Sequence, residues 1–286
     1  MVPDDCGDEG VRYVYYIVAA SCLLVILTCT YCNLTNVPER IYGDAKYYRM
    51  MAMGEEGAIE PFASRALVPR IVEYLSTNVD IFSTKGENVD FWFIVITLLS
   101  LLISSLFIVA LAGEMAGFLW LCTFWATGYN LAMFWLIDPF FNMLLWAVVW
   151  LGKRTHWSMY ALVVVPLMLR GGTPLHSWEY IKGAIIVYSS VPELWKVFGF
   201  LWVPLVVAMV RYPKLLVFCL AFVALRLVAT DIQRMAVIAF MVPLFVYGVA
   251  EIESLLSKLP EWSRVWMRVG IVITYLVIQH RVWWSP

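Results

Sequence analysis

The sequence predicts an all-α, polytopic membrane protein with about eight or nine transmembrane helices and a long extracytoplasmic first loop. Three observations predict this fold class. Of the 286 residues, 62% are hydrophobic and only 14% are charged, whereas soluble domains have about a quarter of their residues charged. The apolar residues fall into repeated runs long enough to cross a bilayer. Apolar and polar residues do not alternate within these runs, which disfavours the strands of a membrane barrel.

Nine apolar runs divide the chain, and we treat them as the helices of one transmembrane domain that covers residues 1–286. The runs are residues 11–31, 91–112, 118–136, 140–151, 158–169, 195–210, 215–230, 235–250 and 269–278. The first run follows the acidic segment MVPDDCGDEG. A secretory signal opens with basic residues instead, so we expect this run to be retained as a helix.

The long polar stretch, residues 32–90, is predicted to be a loop outside the membrane. Two of its segments, AKYYRMMAMGEE and SRALVPRIVEYLS, carry apolar residues at near-helical spacing. This spacing is typical of short amphipathic helices that lie in the membrane interface. Among the other connections, GEMAG is expected to be a tight turn, and residues 251–268 a polar, amphipathic connection.

The basic residues of the short connections predict the orientation. With the N-terminus in the cytoplasm, these connections are cytoplasmic, in agreement with the positive-inside tendency. Their basic residues are Lys153, Arg154, Arg211, Lys214, Lys258, Arg264 and Arg268. The same alternation places Asp44, Asp138 and the segments 170–176 and 231–234 on the extracytoplasmic face. Ionisable groups gathered at one mouth of a helical bundle predict a functional site on that face. We expect the protein to lie in the inner or plasma membrane.

Asp44, in the segment YGDAKYY, is the leading candidate for a catalytic residue. A carboxylate can accept the proton of a hydroxyl group, and the supporting residues Tyr47 and Tyr48 would surround it with aromatic rings. The alternative is an interfacial acid beside an aromatic belt. The convergence of ionisable groups on the same predicted face favours catalysis.

Arginine side chains are the candidate phosphate ligands, because their planar fork matches phosphate oxygens. They are Arg65, Arg170, Arg226 and Arg234, joined by His176 in the segment GGTPLHSWEY. Arg65 could instead extend to the lipid headgroups, and His176 could be structural. Arg226 lies inside an apolar run, which is a costly position unless its side chain is paired or faces a cavity.

Asp138 and Asp231 are supporting residues, and each also has a structural interpretation. Asp138 precedes Pro139, which is the pattern of a helix N-cap followed by proline at the first helical position. Asp231 could cap the next helix and pair with Arg234, three residues later. Capping a helix and lining a cavity are compatible roles, so both interpretations stay open.

Several functional classes lose their support because their motifs are absent. The chain contains no HExxH, GxSxG, paired CxxC or glycine-rich nucleotide loop, which disfavours metalloproteases, serine hydrolases and nucleotide-dependent enzymes. A net charge of -1 without a basic stripe gives no indication of nucleic-acid binding. We expect a reaction without a metal or a cofactor.

Together, these motifs resemble the membrane glycosyltransferases of the GT-C superfamily. The resemblance lies in a first helix, an outer loop with D-A-x-Y-Y and P-F-x-x-R-x-L-x-P, an Asp-Pro after a mid-chain helix, and a late D-x-x-R. The matching residues are Asp44, Ala45, Tyr47 and Tyr48, then Pro61, Phe62, Arg65, Leu67 and Pro69, then Asp138 and Pro139, and finally Asp231 and Arg234. Many members have paired acids in the first loop, whereas here the next acids are Glu55 and Glu56.

The resemblance implies an inverting sugar transfer from a polyprenyl-phosphate sugar to an acceptor glycan, lipid or protein at the extracytoplasmic face. It implies that Asp44 is the general base and that arginines hold the donor phosphate, while apolar walls hold the lipid tail. Membrane lipids are the other expected partners. The alternative is a non-catalytic integral membrane subunit or a transporter component, although a transporter should carry internal repeats and the sequence has no clear one.

Overall fold

The structure is a computed structural model that describes residues 44–58, 66–123, 129–132, 134, 136–152, 191–228 and 232–284. The regular elements in these ranges are all helical. In chain order they are α1 (Asp44–Met53), α2 (Leu67–Asn78), α3 (Lys85–Ala112), α4 (Glu114–Cys122), α5 (Tyr129–Ala132), α6 (Asp138–Gly152), α7 (Val191–Phe198), α8 (Trp202–Arg211), α9 (Val217–Val228), α10 (Ile232–Val242), α11 (Val249–Leu256) and α12 (Glu261–Trp284). A 3₁₀ turn, Gly199–Leu201, joins α7 to α8, and a π-helical turn, Pro243–Gly248, joins α10 to α11.

Three helices of the described chain are long and apolar enough to cross a membrane. They are Lys85–Ala112, Leu194–Arg211 and Met235–Leu256, while α6 is a shorter apolar helix. The described part of the chain is therefore all-helical, and its spans indicate a membrane protein. The finer count of eight or nine spans stays a prediction, since the runs 11–31 and 158–169 lie outside the described residues.

α3 begins earlier than predicted because a side-chain cap fixes its start. The hydroxyl oxygen of Thr84 accepts a hydrogen bond from the backbone N–H of Glu87 (3.2 Å), and the hydroxyl donates to the Glu87 carboxylate (2.8 Å). Such a cap satisfies a helical N–H group that has no partner within the helix. α3 therefore starts at Lys85 and contains Asp90, before the predicted helical run that begins at residue 91.

The GEMAG turn is tighter than predicted. Only Gly113 leaves the helical conformation, at φ +88°, and α4 starts at the next residue. α4 then ends at Cys122, because the backbone of Thr123 is extended (ψ 114°) and its hydroxyl donates to the Leu119 carbonyl (2.8 Å). The predicted run 118–136 is therefore broken at Thr123.

α3 and α4 turn back on each other at Gly113 and approach closely at Gly117. A Cβ atom on Gly117 would lie 2.5 Å from Val109 Cγ2 and 3.3 Å from Ser105 Oγ. Small residues allow membrane helices to approach each other in this way. Val109 cannot move aside easily, because β-branched side chains have few rotamers in a helix.

We expect Gly117→Ala to destabilise the protein by about 1–3 kcal/mol, because the added methyl group overpacks the α3–α4 contact. Gly270→Ala is the matched control, since a Cβ atom at that position in α12 meets no atom within 4 Å. Alanine is the better helix former, so the control should be neutral or stabilising. Thermal unfolding in detergent compares the variants, and equal midpoints would contradict the close packing at Gly117.

The polar stretch 251–268 is a junction of two helices rather than a separate amphipathic connection. α11 ends at Leu256 and α12 starts at Glu261, well before the predicted run 269–278. Arg268 donates to Glu253 (3.1 Å), and Arg211 donates to Glu251 (3.0 Å). These ion pairs stabilise helix ends that a search for apolar runs does not detect.

The directions of the helices define two ends. α3 and α6 run parallel, because Phe93 and Ile137 belong to one cluster and the rings of Phe107 and Trp150 meet further along both helices (5.7 Å). We call the end where α3 and α6 begin the Asp138 end.

The second half of the chain has the same parallel arrangement. Trp202 contacts Phe240 (5.3 Å between ring centroids), and Arg211 pairs with Glu251 further along. α8 therefore runs parallel to the helix formed by α10 and α11. We call the end where α8 and α11 finish the Arg211 end.

Candidate functional site

The Asp138 end is built on one hydrophobic cluster that joins four segments of the chain. Its buried members are Ala45, Tyr48, Ala52, Val68, Val72, Val89, Phe93, Phe134, Leu136 and Ile137. They belong to α1, α2, the first turns of α3 and the segment that leads into α6. The segment that begins with Asp44 and the segment that ends at Asp138 are thus brought to the same end of α3.

α1 starts at Asp44 and packs one face on this cluster. Ala45, Tyr48 and Ala52 are buried at helical spacing, whereas Lys46 is exposed and Tyr47 is half-buried. This amphipathic pattern fits the interfacial helix that the sequence predicts. An acid at a helix start also interacts favourably with the helix dipole, so the position of Asp44 suits a structural role as well as a catalytic one.

Asp138 is the first residue of α6 and is half-buried, and Pro139 follows it as a buried residue of the first turn. An acid and a proline therefore begin this helix, as the sequence predicts. The segment before Asp138 is fixed to α3, because the hydroxyl of Thr97 donates to the backbone carbonyl of Phe134 (3.0 Å) in a buried position. The chain is thus attached to α3 just before α6 begins.

An ion pair that no sequence motif predicts connects α1 to α3. Arg49 Nε donates to Asp90 Oδ1 (2.8 Å) and Arg49 Nη2 donates to Asp90 Oδ2 (3.2 Å). Both side chains are partly buried. The hydrogen bond to Asp90, and the attraction of its charge, raise the pKa of the Arg49 guanidinium above its ordinary value. Lys85 Nζ also donates to the Met53 carbonyl at the other end of α1 (2.7 Å).

We expect Arg49→Ala to destabilise the packing of α1 by about 1–2 kcal/mol, because Asp90 would lose a bidentate, charge-assisted partner. The matched control is Arg70→Ala, which removes an exposed pair with Glu73 on one helix face. Such a pair contributes at most about 0.5 kcal/mol. Thermal unfolding and protease cleavage within α1 measure the two effects. Equal responses would show that the Arg49 pair does not hold α1.

The remaining predicted residues are placed only in part. Arg226 lies in the last turn of α9, and Arg234 lies in the first turn of α10. These helices pack against each other, so the two backbone positions flank the same connection. Arg65, Arg170, His176 and Asp231 lie outside the described residues. The alternation of spans predicts that these basic residues and Asp231 lie on the same face as Asp44, and this placement stays a prediction.

The described residues offer individual carboxylates and basic side chains for a reaction rather than a cluster of metal ligands. No three His, Cys, Asp or Glu side chains in those ranges lie close enough together to hold a metal ion. The reaction without a metal or cofactor stays a prediction. What the geometry offers is that Asp44 and Asp138 begin two helices that pack on one hydrophobic cluster at the same end of α3.

No protein family, curated protein or solved structure matches this chain. The assignment of a function therefore depends on the residues themselves and on the positions that the fold gives them.

Proposed function

We propose that the protein transfers a sugar from a polyprenyl-phosphate donor to an acceptor at the extracytoplasmic membrane face, with inversion at the anomeric carbon. One observation carries the proposal. Asp44 and Asp138, which are far apart in the sequence, begin two helices that are anchored to one end of α3 by a common hydrophobic cluster. Acids placed at the mouth of an apolar bundle suit a reaction between a lipid-linked donor and a polar acceptor.

Asp44 is the general base of the proposed reaction. Its carboxylate accepts the proton of the acceptor hydroxyl while the hydroxyl oxygen forms a bond to the anomeric carbon. The bond between that carbon and the phosphate oxygen breaks, and its electron pair leaves with the polyprenyl phosphate. Attack occurs opposite the leaving group, so the configuration inverts. General base catalysis of this type contributes about 10²–10⁴-fold to a rate.

Basic side chains hold the donor phosphate and stabilise the charge that develops as it leaves. The candidates are Arg65, Arg170, His176, Arg226 and Arg234. Fixed cations that act on a leaving phosphate need no metal, because they supply the charge stabilisation themselves. Tyr47, Tyr48, Asp138 and Asp231 are proposed as supporting residues, and Asp231 would orient Arg234.

The purified protein in lipid nanodiscs tests the proposal. It is incubated with a panel of polyprenyl-phosphate sugars and with sugar, lipid and peptide acceptors, and the release of free polyprenyl phosphate is measured. We expect release with at least one donor and retention of an inverted sugar on the acceptor. Donor binding is measured separately by equilibrium titration. Absence of both turnover and donor binding across the panel would contradict the proposal.

A non-catalytic membrane subunit is the second candidate. The observation that favours it is the ion pair between Arg49 and Asp90, since it shows charged side chains near the Asp138 end serving to join helices. A subunit of this kind would tolerate the replacement of Asp44 without loss of the activity of its complex. This candidate predicts no donor affinity in the titration.

A further inference from the structure

A groove of about 550 Å³ runs along the outside of the second half of the protein. Its walls come from α8 and the turn before it, from α11 with the residues that follow it, and from α12. The residues that line the groove are far from α1 in the sequence, and none of them belongs to the candidate site. Aliphatic side chains line most of the groove, and charged side chains line one end of it.

The apolar length of the groove faces out of the bundle. Val203 and Val207 of α8 and Leu255 of α11 line it and are exposed. They belong to two of the helices that are long and apolar enough to cross a membrane. Exposed aliphatic side chains in such helices contact lipid tails, so the groove opens to hydrocarbon rather than to water.

The polar end of the groove carries positive charge. Arg211 and Glu251 both line it and pair with each other (3.0 Å), which leaves their combined charge near zero. Lys258 also lines this end and is exposed. Among the described residues, the ion pairs do not include Lys258. The end of the groove therefore has an excess positive charge, and an anionic group would complement it.

The residues that line the groove extend over about one leaflet. Phe200, in the 3₁₀ turn before α8, and Arg211, the last residue of α8, both line the groove, and at a helical rise of about 1.5 Å per residue they are roughly 16 Å apart. Half of a hydrocarbon core of about 30 Å is close to this value. Trp262 and Trp266, exposed in the first turns of α12, are the side chains expected at the membrane interface near this end.

We infer that the groove binds an anionic phospholipid. One acyl chain lies along Val203 and Val207, and the phosphate interacts with Lys258 and the exposed face of Arg211. This inference does not depend on the proposed sugar transfer, because it concerns a different region and requires no reaction. A lipid bound here would hold α8, α11 and α12 together at the Arg211 end.

Native mass spectrometry of the detergent-purified protein tests the charge requirement. Phosphatidylglycerol and phosphatidylcholine with identical acyl chains are titrated, and we expect tighter binding of phosphatidylglycerol. Lys258→Ala should weaken that binding about fivefold, which corresponds to one basic residue near an anionic headgroup. Lys214→Ala is the control, since Lys214 is exposed near Arg211 but does not line the groove. Equal affinity for both lipids, or equal effects of both variants, would overturn the inference.

A second pair of variants tests the position of the tail. Val207→Trp should fill the groove and weaken phosphatidylglycerol binding at least tenfold, whereas Val210→Trp should have little effect. Val207 lines the groove and is 48% exposed, while Val210 on the same helix does not line it and is 77% exposed. Binding unaffected by Val207→Trp would overturn the inference. So would displacement of the lipid by inorganic phosphate at an equal concentration, because the site would then recognise free phosphate.

Discussion

Asp44→Asn should reduce sugar transfer by about 10²–10⁴-fold, because asparagine cannot accept the proton of the acceptor hydroxyl. Asparagine has nearly the same shape as aspartate and remains a good residue for a helix start. α1 should therefore keep its packing on the cluster of Ala45, Tyr48 and Ala52. Donor affinity should change little, since the phosphate is held by basic side chains in the proposed mechanism. The loss should therefore be seen in kcat, measured by release of polyprenyl phosphate.

Glu56→Gln is the matched control for this variant. Glu56 is an exposed carboxylate that follows α1, so its neutralisation changes the same total charge without removing the proposed base. We expect it to keep wild-type turnover. Asp44→Asn with turnover equal to that of Glu56→Gln would remove Asp44 as the base. Asp44→Glu should recover part of the activity, because it restores a carboxylate with a longer side chain.

Trp120→Ala should destabilise the protein by about 3–5 kcal/mol, the cost of truncating a large buried aromatic side chain. Trp120 is 0% exposed and makes edge-to-face contacts with Trp146 (5.9 Å) and Phe245 (5.6 Å). It thereby joins α4, α6 and the π-helical turn. Its removal would leave a cavity that these helices can fill only by moving, since interiors are densely packed.

Trp262→Ala provides the comparison, since Trp262 is 71% exposed near the start of α12. We expect its thermal unfolding midpoint in detergent to remain close to that of the wild type. The Trp120→Ala midpoint should fall by many degrees, and its purified fraction should show increased aggregation. Similar midpoints for the two variants would show that Trp120 is not a central packing residue.

The sequence was sufficient for the helical class of the described residues and for the two helices α1 and α2. Long apolar runs require helices in a bilayer, because backbone groups must be satisfied within the segment. The cluster around Tyr48 and Ile137 brings the helices that begin at Asp44 and Asp138 to one end of α3, while the extracytoplasmic side of that end stays a prediction from the alternation of spans. Helix α6 also begins at the predicted acid and proline.

Helix ends were predicted less well, because hydropathy detects only the part of a helix that is apolar. The cap at Thr84 and the pair between Arg268 and Glu253 extend α3 and α12 into polar sequence. A search for cap residues would have located the start of α3. The pair between Arg49 and Asp90 joins residues far apart in the chain, so no local pattern could reveal it.

The proposed sugar transfer requires the Asp138 end to be extracytoplasmic, and the alternation of spans predicts the Arg211 end on the opposite side of the membrane. Single-cysteine variants test this directly, after replacement of the six native cysteines. Glu56 and Lys258 are exposed residues at the two ends, so Glu56→Cys and Lys258→Cys are the variants used. Intact cells that carry either variant are labelled with a membrane-impermeant maleimide. We predict labelling of Glu56→Cys in intact cells and of Lys258→Cys only after permeabilisation. Labelling of both from one side, or the reverse pattern, would contradict the account.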